Sequence, residues 1–279
     1  MRYRIALLAT TLIAAFVCGI ESSAVSPVAH AAACDKQIVV LGAEGSGERA
    51  GGPPGLGPEV GFAVADIRNR LEPQGIQVSA TALDYPANAV ESLKSEQGVR
   101  DFLAGIGSGV SNAIQDIAAI DRQLGSCPGA RIVLAGYSQG AMVMHRVLDQ
   151  LHGPGPNANP RFLDRIAAVL LIADGDKVPG DTDHLYPAAQ TATTSGISTS
   201  VAPISGATTT AFPADVRDRV FSVCLVGDPV CDFQPSEVPD IAAVAMGGQS
   251  NGARIHGEMY KTSTWGATAP LVQHILSVR

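Results

Sequence analysis

Aromatic and charged residues are both sparse in this chain. Phe, Trp and Tyr make up 5% of its 279 residues and Asp, Glu, Lys and Arg 16%, against 46% hydrophobic residues. No basic run or aromatic-basic interleaving occurs, and the formal net charge is −7. Phosphate binding needs a cationic footprint, so nucleic acid is excluded as a partner. Neither C-x-x-C nor H-x-x-x-H occurs, which argues against a zinc centre of those patterns. No metal or organic cofactor is expected. Beyond residue 20 no segment is apolar enough to span a bilayer, so no stable membrane span is expected in the body of the protein.

What is present at the start is an address. Arg2 and Arg4 precede an uncharged stretch from Ile5 to Ile20, and Ala29-His30-Ala31-Ala32-Ala33 supplies small residues after it. This is the layout of a secretory signal peptide, expected over 1–33. Cysteine usage agrees with an oxidising compartment. Of five cysteines Cys18 lies in the signal, leaving Cys34, Cys127, Cys224 and Cys231. Four cysteines allow three pairings, but Cys224 and Cys231 flank a turn, and a local bridge there leaves Cys34 for Cys127. The expected product is a secreted monomer, one domain over 34–279, since strands and helices alternate from Ile38 to Ser277 without a linker.

The order of elements predicts a parallel α/β fold. Gln37-Ile38-Val39-Val40-Leu41 reads as a buried strand opening into the glycine-rich Gly42-Ala43-Glu44-Gly45-Ser46-Gly47, followed by a helix through Val60, Ala63, Val64 and Ile67. Gln77 to Leu83 alternates as a strand, Val99 to Leu124 as a helix, and Ala167 to Ala173 is a further buried strand. Val220 to Val226 is a strand broken at Gly227-Asp228-Pro229. The Ser/Thr-rich segment from Gln190 to Thr210 has neither period and is expected to be a long surface loop, either a flap over a site or a passive insertion.

Chemistry enters at Arg131 to Ala141, an apolar run ending in Gly136-Tyr137-Ser138-Gln139-Gly140. G-x-S-x-G between strand and helix is a nucleophile elbow: glycines let the two elements crowd around a serine whose hydroxyl stands above the sheet. In α/β hydrolases the acid and then the histidine follow the serine along the chain. Asp228, at a strand end inside the Cys224–Cys231 loop, is the expected acid, with Asp174 as rival. Of the histidines after it, His274 sits in a helix, whereas His256 follows Gln249-Ser250-Asn251-Gly252-Ala253 in an expected loop from which it can reach the serine. The oxyanion donors are expected to be the backbone N–H of Gln139 and Ser46. Gly45-Ser46-Gly47-Glu48-Arg49-Ala50 also satisfies G-x-G-x-x-A, but Gly51 to Pro58 cannot be the helix that a dinucleotide fingerprint requires.

With these residues in place the chain resembles the cutinase family of secreted serine esterases, especially its actinobacterial members. The resemblance rests on G-Y-S-Q-G at Gly136 to Gly140 with Cys127-Pro128 ahead of it, on Gly227-Asp228-Pro229-Val230-Cys231 with Cys224 ahead of it, on Tyr85-Pro86-Ala87, and on the place of His256. It implies a small α/β hydrolase, a central mostly parallel sheet with helices on both faces. It also implies hydrolysis of carboxylic esters such as cutin-like polyesters, acylglycerols or envelope lipids, with Ser138 as nucleophile, His256 as base and Asp228 as acid. An envelope acyltransferase or thioesterase, and a non-catalytic lipid-binding protein on the same scaffold, are the alternatives. The insertion before Phe212 and the connection from Asp228 to His256 are longer than in compact fungal relatives.

Overall fold

The computed structural model describes residues 36–49, 52–187, 189–239 and 249–278. The expected signal peptide, Cys18 and Cys34 lie outside them. Strand β1 (Gln37–Ala43) is buried on both sides. Its alternation divides the interior in two: Ile38 and Val40 face one apolar cluster, Val39 and Leu41 the other. Helix α1 (Gly57–Leu71) covers the first cluster through Val60, Ala63, Val64, Ile67 and Leu71 and leads to β2 (Gln77–Ala82). Helix α2 (Glu96–Leu124), capped by the Ser95 hydroxyl on the Gly98 N–H at 3.0 Å, covers the second and leads to β3 (Arg131–Tyr137).

Strands β4 (Ile166–Ile172), β5 (His184–Tyr186) and β6 (Val220–Val223) complete a six-stranded sheet of order β2-β1-β3-β4-β6-β5 in which every pairing is parallel. The connection from β1 leads outward to β2, whereas that from β3 leads the opposite way to β4. A crevice therefore opens at the carboxyl ends of β1 and β3, where open α/β sheets bind ligands. This is the α/β-hydrolase arrangement the sequence predicts. Helix α3 (Gln139–His152) runs back from that crevice, and α4 (Pro160–Arg165) turns the chain into β4.

Three local expectations change. Strand β6 stops at Val223 and does not reach Val226, because the Cys224–Cys231 disulfide, with Cα atoms 5.9 Å apart, and Gly227 at φ +79° turn the chain. Strand β5 is additional: three half-buried residues carry no apolar period, and pairing with β6 defines them. The Ser/Thr-rich insertion is not an irregular loop. It forms two single-turn helices, α5 (Ile197–Ser200) and α6 (Ala202–Ser205), followed by α7 (Ala214–Arg217). Its hydroxyls bond locally to backbone, Thr199 Oγ1 donating to Gly196 O at 2.7 Å and Ser205 Oγ to Ser198 O at 2.7 Å. Buried Lys177 anchors it by donating from Nζ to the carbonyls of Thr191, at 2.8 Å, and Thr194. These contacts depend on tertiary placement, which a periodicity reading does not see. The chain closes with α8 (Asn251–Glu258) and α9 (Thr268–Ser277).

Candidate active site

Ser138 occupies the turn between β3 and α3 with φ 51° and ψ −115°. A Cβ on Gly136 would lie 2.3 Å from Gly140 O, and one on Gly140 would lie 2.3 Å from Ala43 O. Only glycine allows backbones this close, which is the physical content of the motif. The turn raises Ser138 Oγ to 2.9 Å from His256 Nε2. On its other side His256 Nδ1 lies 3.0 and 3.1 Å from the two carboxylate oxygens of Asp228.

His256 stands on helix α8, not on a loop. Ser250 caps that helix, its hydroxyl accepting from the Ala253 N–H at 3.0 Å, so the Ser250-Asn251-Gly252 run starts a helix where it reads as a turn. Asp228 is fully buried and accepts from the Val230 N–H at 2.8 Å and the Tyr260 hydroxyl at 2.6 Å. Burial alone would raise its carboxyl. The neighbouring His256, with the hydrogen bonds from His256, Tyr260 and Val230, outweighs burial and holds it below the usual carboxylate range. The rival Asp174 is elsewhere: it accepts from His145 Nδ1 at 2.7 Å in a separate buried network.

Two tyrosines that sequence reasoning misses support this arrangement. Tyr137 stacks on the His256 ring at 5.4 Å between centroids and donates its hydroxyl to His256 O at 2.5 Å. Tyr260 joins Asp228 to the Leu225 N–H, which its oxygen accepts at 2.9 Å. In the sequence Tyr137 is only the variable second residue of the elbow motif, and Tyr260 carries no signal beyond its separation of four residues from His256.

The glycine-rich segment after β1 forms the facing wall. Ser46 lines the same cleft as Ser138, and its buried hydroxyl has no partner among the described residues. Gln139 starts α3, so its N–H is one of the helix's unbonded donors, while its side chain donates to Phe102 O at 3.3 Å. The Ser46 segment is tied to Tyr85-Pro86-Ala87, with the Tyr85 hydroxyl donating to Glu44 O at 2.5 Å and Gly47 N–H to Ala87 O at 2.8 Å. Helix α1 begins only at Gly57, consistent with rejection of a dinucleotide fingerprint. Cys127 is disulfide-bonded, and Cys34, its expected partner, lies outside the described residues.

Glu48 accepts from the Gly45 N–H at 2.6 Å beneath this wall. Burial, then the neighbouring carboxylate of Glu59, push its carboxyl up to about 8 from 4.5. A carboxyl raised on folding binds more protons in the native than in the unfolded state between those two values. Its contribution is complete below the lower value and is lost as pH rises through the upper. Urea midpoints measured across this range should fall less steeply in Glu48→Gln than in the wild type. An unchanged slope would place the titration elsewhere.

From Ser138 an apolar cleft runs outward between α2 and the insertion, lined by Val90, Leu93, Phe102, Leu103, Val201 and Ile204. Cleft, elbow and sheet together define an α/β hydrolase with a solvent-accessible site. The chain belongs to the cutinase family, whose model matches residues 33–240.

Among curated relatives, a cutinase of Hypocrea jecorina is 35% identical over 94 residues, 34% of each chain, so this chain spans about a third of that relative's length. A probable carboxylesterase, Culp3, of Mycobacterium tuberculosis is 29% identical over 81% of this chain and 70% of its own. Carboxylesterase Culp1 of Mycobacterium bovis is 28% identical over 81% and 82%. A cutinase-like protein from Cryptococcus sp. superposes with a TM-score of 0.56 at 20% identity, covering 87% of this chain and 94% of that one. An acetylxylan esterase does so at 0.56 and 16%, covering 86% and 97%. Both share the fold. Among the described residues no helix is long and apolar enough to cross a membrane.

Proposed function

We propose that this chain hydrolyses acyl esters through an acyl-enzyme on Ser138, and that it is secreted by way of the segment 1–33. The observation that carries the reading is the 2.9 Å contact of Ser138 Oγ with His256 Nε2 at the end of an apolar cleft. With Nδ1–H donated to Asp228, Nε2 is the free base. It takes the Ser138 proton as Oγ bonds to the ester carbonyl carbon, and Asp228 stabilises the imidazolium. The tetrahedral oxyanion is held by the Gln139 N–H and by Ser46. Collapse breaks the ester C–O bond, and His256 returns the proton to the departing alkoxide. Water then attacks the acyl-enzyme with His256 again as base, releasing the carboxylic acid and free Ser138.

The cleft walls favour an aliphatic acyl group. Cutin-like polyesters, acylglycerols and envelope lipids all present such groups. Val201 and Ile204 are exposed and come from the insertion, so the insertion selects chain length without taking part in bond breaking. A fluorophosphonate should label Ser138 covalently. On p-nitrophenyl esters, Ile204→Asp should lower kcat/KM by about tenfold or more for octanoate, since each buried CH2 is worth about 0.8 kcal/mol, and leave acetate within about threefold. Equal losses on both esters would assign the insertion to the chemical step. Absence of labelling would leave only a binding role for the cleft, and ester exchange onto added alcohol outpacing hydrolysis would make the protein a transferase.

A further inference from the structure

A second cluster of chemically capable side chains lies away from the cleft, where the start of β5, the turn after α7 and helix α9 meet. His184, Asp218 and His274 each contribute a ligand-type atom, and those atoms all lie within 4.8 Å of one another. His184 begins β5, a strand whose partner β6 runs parallel to it, so the cluster belongs to the amino-terminal edge of the sheet. Ser138, by contrast, follows the carboxyl end of β3.

The imidazoles are held as ligands are held. His184 stacks on Phe221 with centroids 4.4 Å apart and planes at 7°, which fixes its ring. Its Nε2 is buried without a hydrogen-bond partner and lies 3.6 Å from Asp218 Oδ1. A ring nitrogen so placed, facing a carboxylate but bonded to nothing, is positioned to share a cation with it. His274 meets Phe221 edge-on, with centroids 5.7 Å apart and planes at 65°.

Competing cations are engaged elsewhere. Arg219 donates to the carbonyls of Leu163, Ile166 and Asp215, and Arg217 pairs with Asp183 at 3.3 Å. The Asp218 carboxylate is largely exposed on its outer side and already faces His184 Nε2. Tetrahedral zinc with ligand bonds of about 2.0–2.1 Å needs donors only about 3.4 Å apart, so modest side-chain rotation closes the site.

We propose that His184, Asp218 and His274 form a binding site for a zinc-type divalent cation, with the remaining coordination position open to solvent. Two nitrogens and one carboxylate suit zinc, whereas calcium and magnesium take oxygen ligands. The ion would tie a three-residue edge strand to the last helix, so its effect is on stability and not on ester cleavage. The site stands independently of the role assigned to Ser138.

Untagged full-length protein dialysed against buffered Zn2+ should retain one zinc per chain, and its thermal midpoint should rise with free Zn2+. Cobalt(II) substituted at the site should give the visible absorption of tetrahedral coordination. Asp218→Asn, at an exposed position, and His274→Ala should each weaken zinc affinity by about tenfold or more and abolish the thermal gain, with p-nitrophenyl acetate turnover unchanged. A wild-type chain that retains no zinc would overturn the proposal, as would Asp218→Asn and His274→Ala variants that bind it as tightly as the wild type.

Discussion

Ser138→Ala should lower kcat on p-nitrophenyl esters by about three orders of magnitude or more while the protein stays folded, as removal of a nucleophile does elsewhere. The loss follows from geometry: Ser138 Oγ is the atom within 2.9 Å of His256 Nε2, and alanine leaves that nitrogen nothing to deprotonate in line with the cleft. His256→Ala should cost a similar factor. The double variant should be little worse than either single one, because two groups acting in one proton transfer do not lose their effects independently. His274→Ala, remote from the cleft, provides the contrast and should remain within a few-fold of wild type. Turnover near normal in Ser138→Ala would remove the proposed acyl-enzyme. A large loss in His274→Ala with little in His256→Ala would move the base.

Asp228→Asn should be comparably damaging, by about 10³–10⁴-fold in kcat, because an amide can leave the imidazole in the wrong tautomer with its position intact. In this chain the Val230 N–H donates to Asp228 Oδ1 and the Tyr260 hydroxyl to Oδ2, so an amide, with its single oxygen, keeps one of these bonds and turns its NH2 toward the other partners of the carboxylate. Asp174→Asn should show the converse. Its partner His145 is fully buried; burial lowers its pKa, but Asp174, Asp181 and Asp176 more than offset this and push it up to about 10. Removing one member of a buried pair costs about 3–5 kcal/mol of stability. The expected result is a lower melting midpoint with kcat little changed. Severe kinetic loss in Asp174→Asn alongside mild loss in Asp228→Asn would transfer the acid role to Asp174.

The contrast between these two aspartates also shows what sequence can carry. Both follow buried strands, and chain order admits both. The Cys224–Cys231 loop favours Asp228, but only the packing shows that His145, in the middle of α3, is the partner of Asp174. The apolar runs of β1, β3 and β4 and the glycines around Ser138 are legible because burial on both faces and close backbone approach leave a compositional trace. Strand β5 and helices α5 and α6 leave none. Their residues are ordered by contacts distant in sequence, such as Lys177 on Thr191 and Thr194 or Cys224 N–H on Tyr186 O at 2.9 Å. Tyr137 and Tyr260 are hidden for a related reason, since a phenol gives no sign of the carbonyl or carboxylate its oxygen will meet.

The left-handed backbone at Ser138 has a bearing on how such a protein can change. A residue with a side chain at φ 51° and ψ −115° stores about 1–3 kcal/mol of conformational free energy that neighbouring structure must hold in place. Glycine would relax that position and lose the hydroxyl, so a search for greater thermal resistance and a search for activity pull this one residue in opposite directions. Gains in robustness therefore have to come from the rest of the scaffold, while Gly136 and Gly140 stay small enough to keep the strained turn closed.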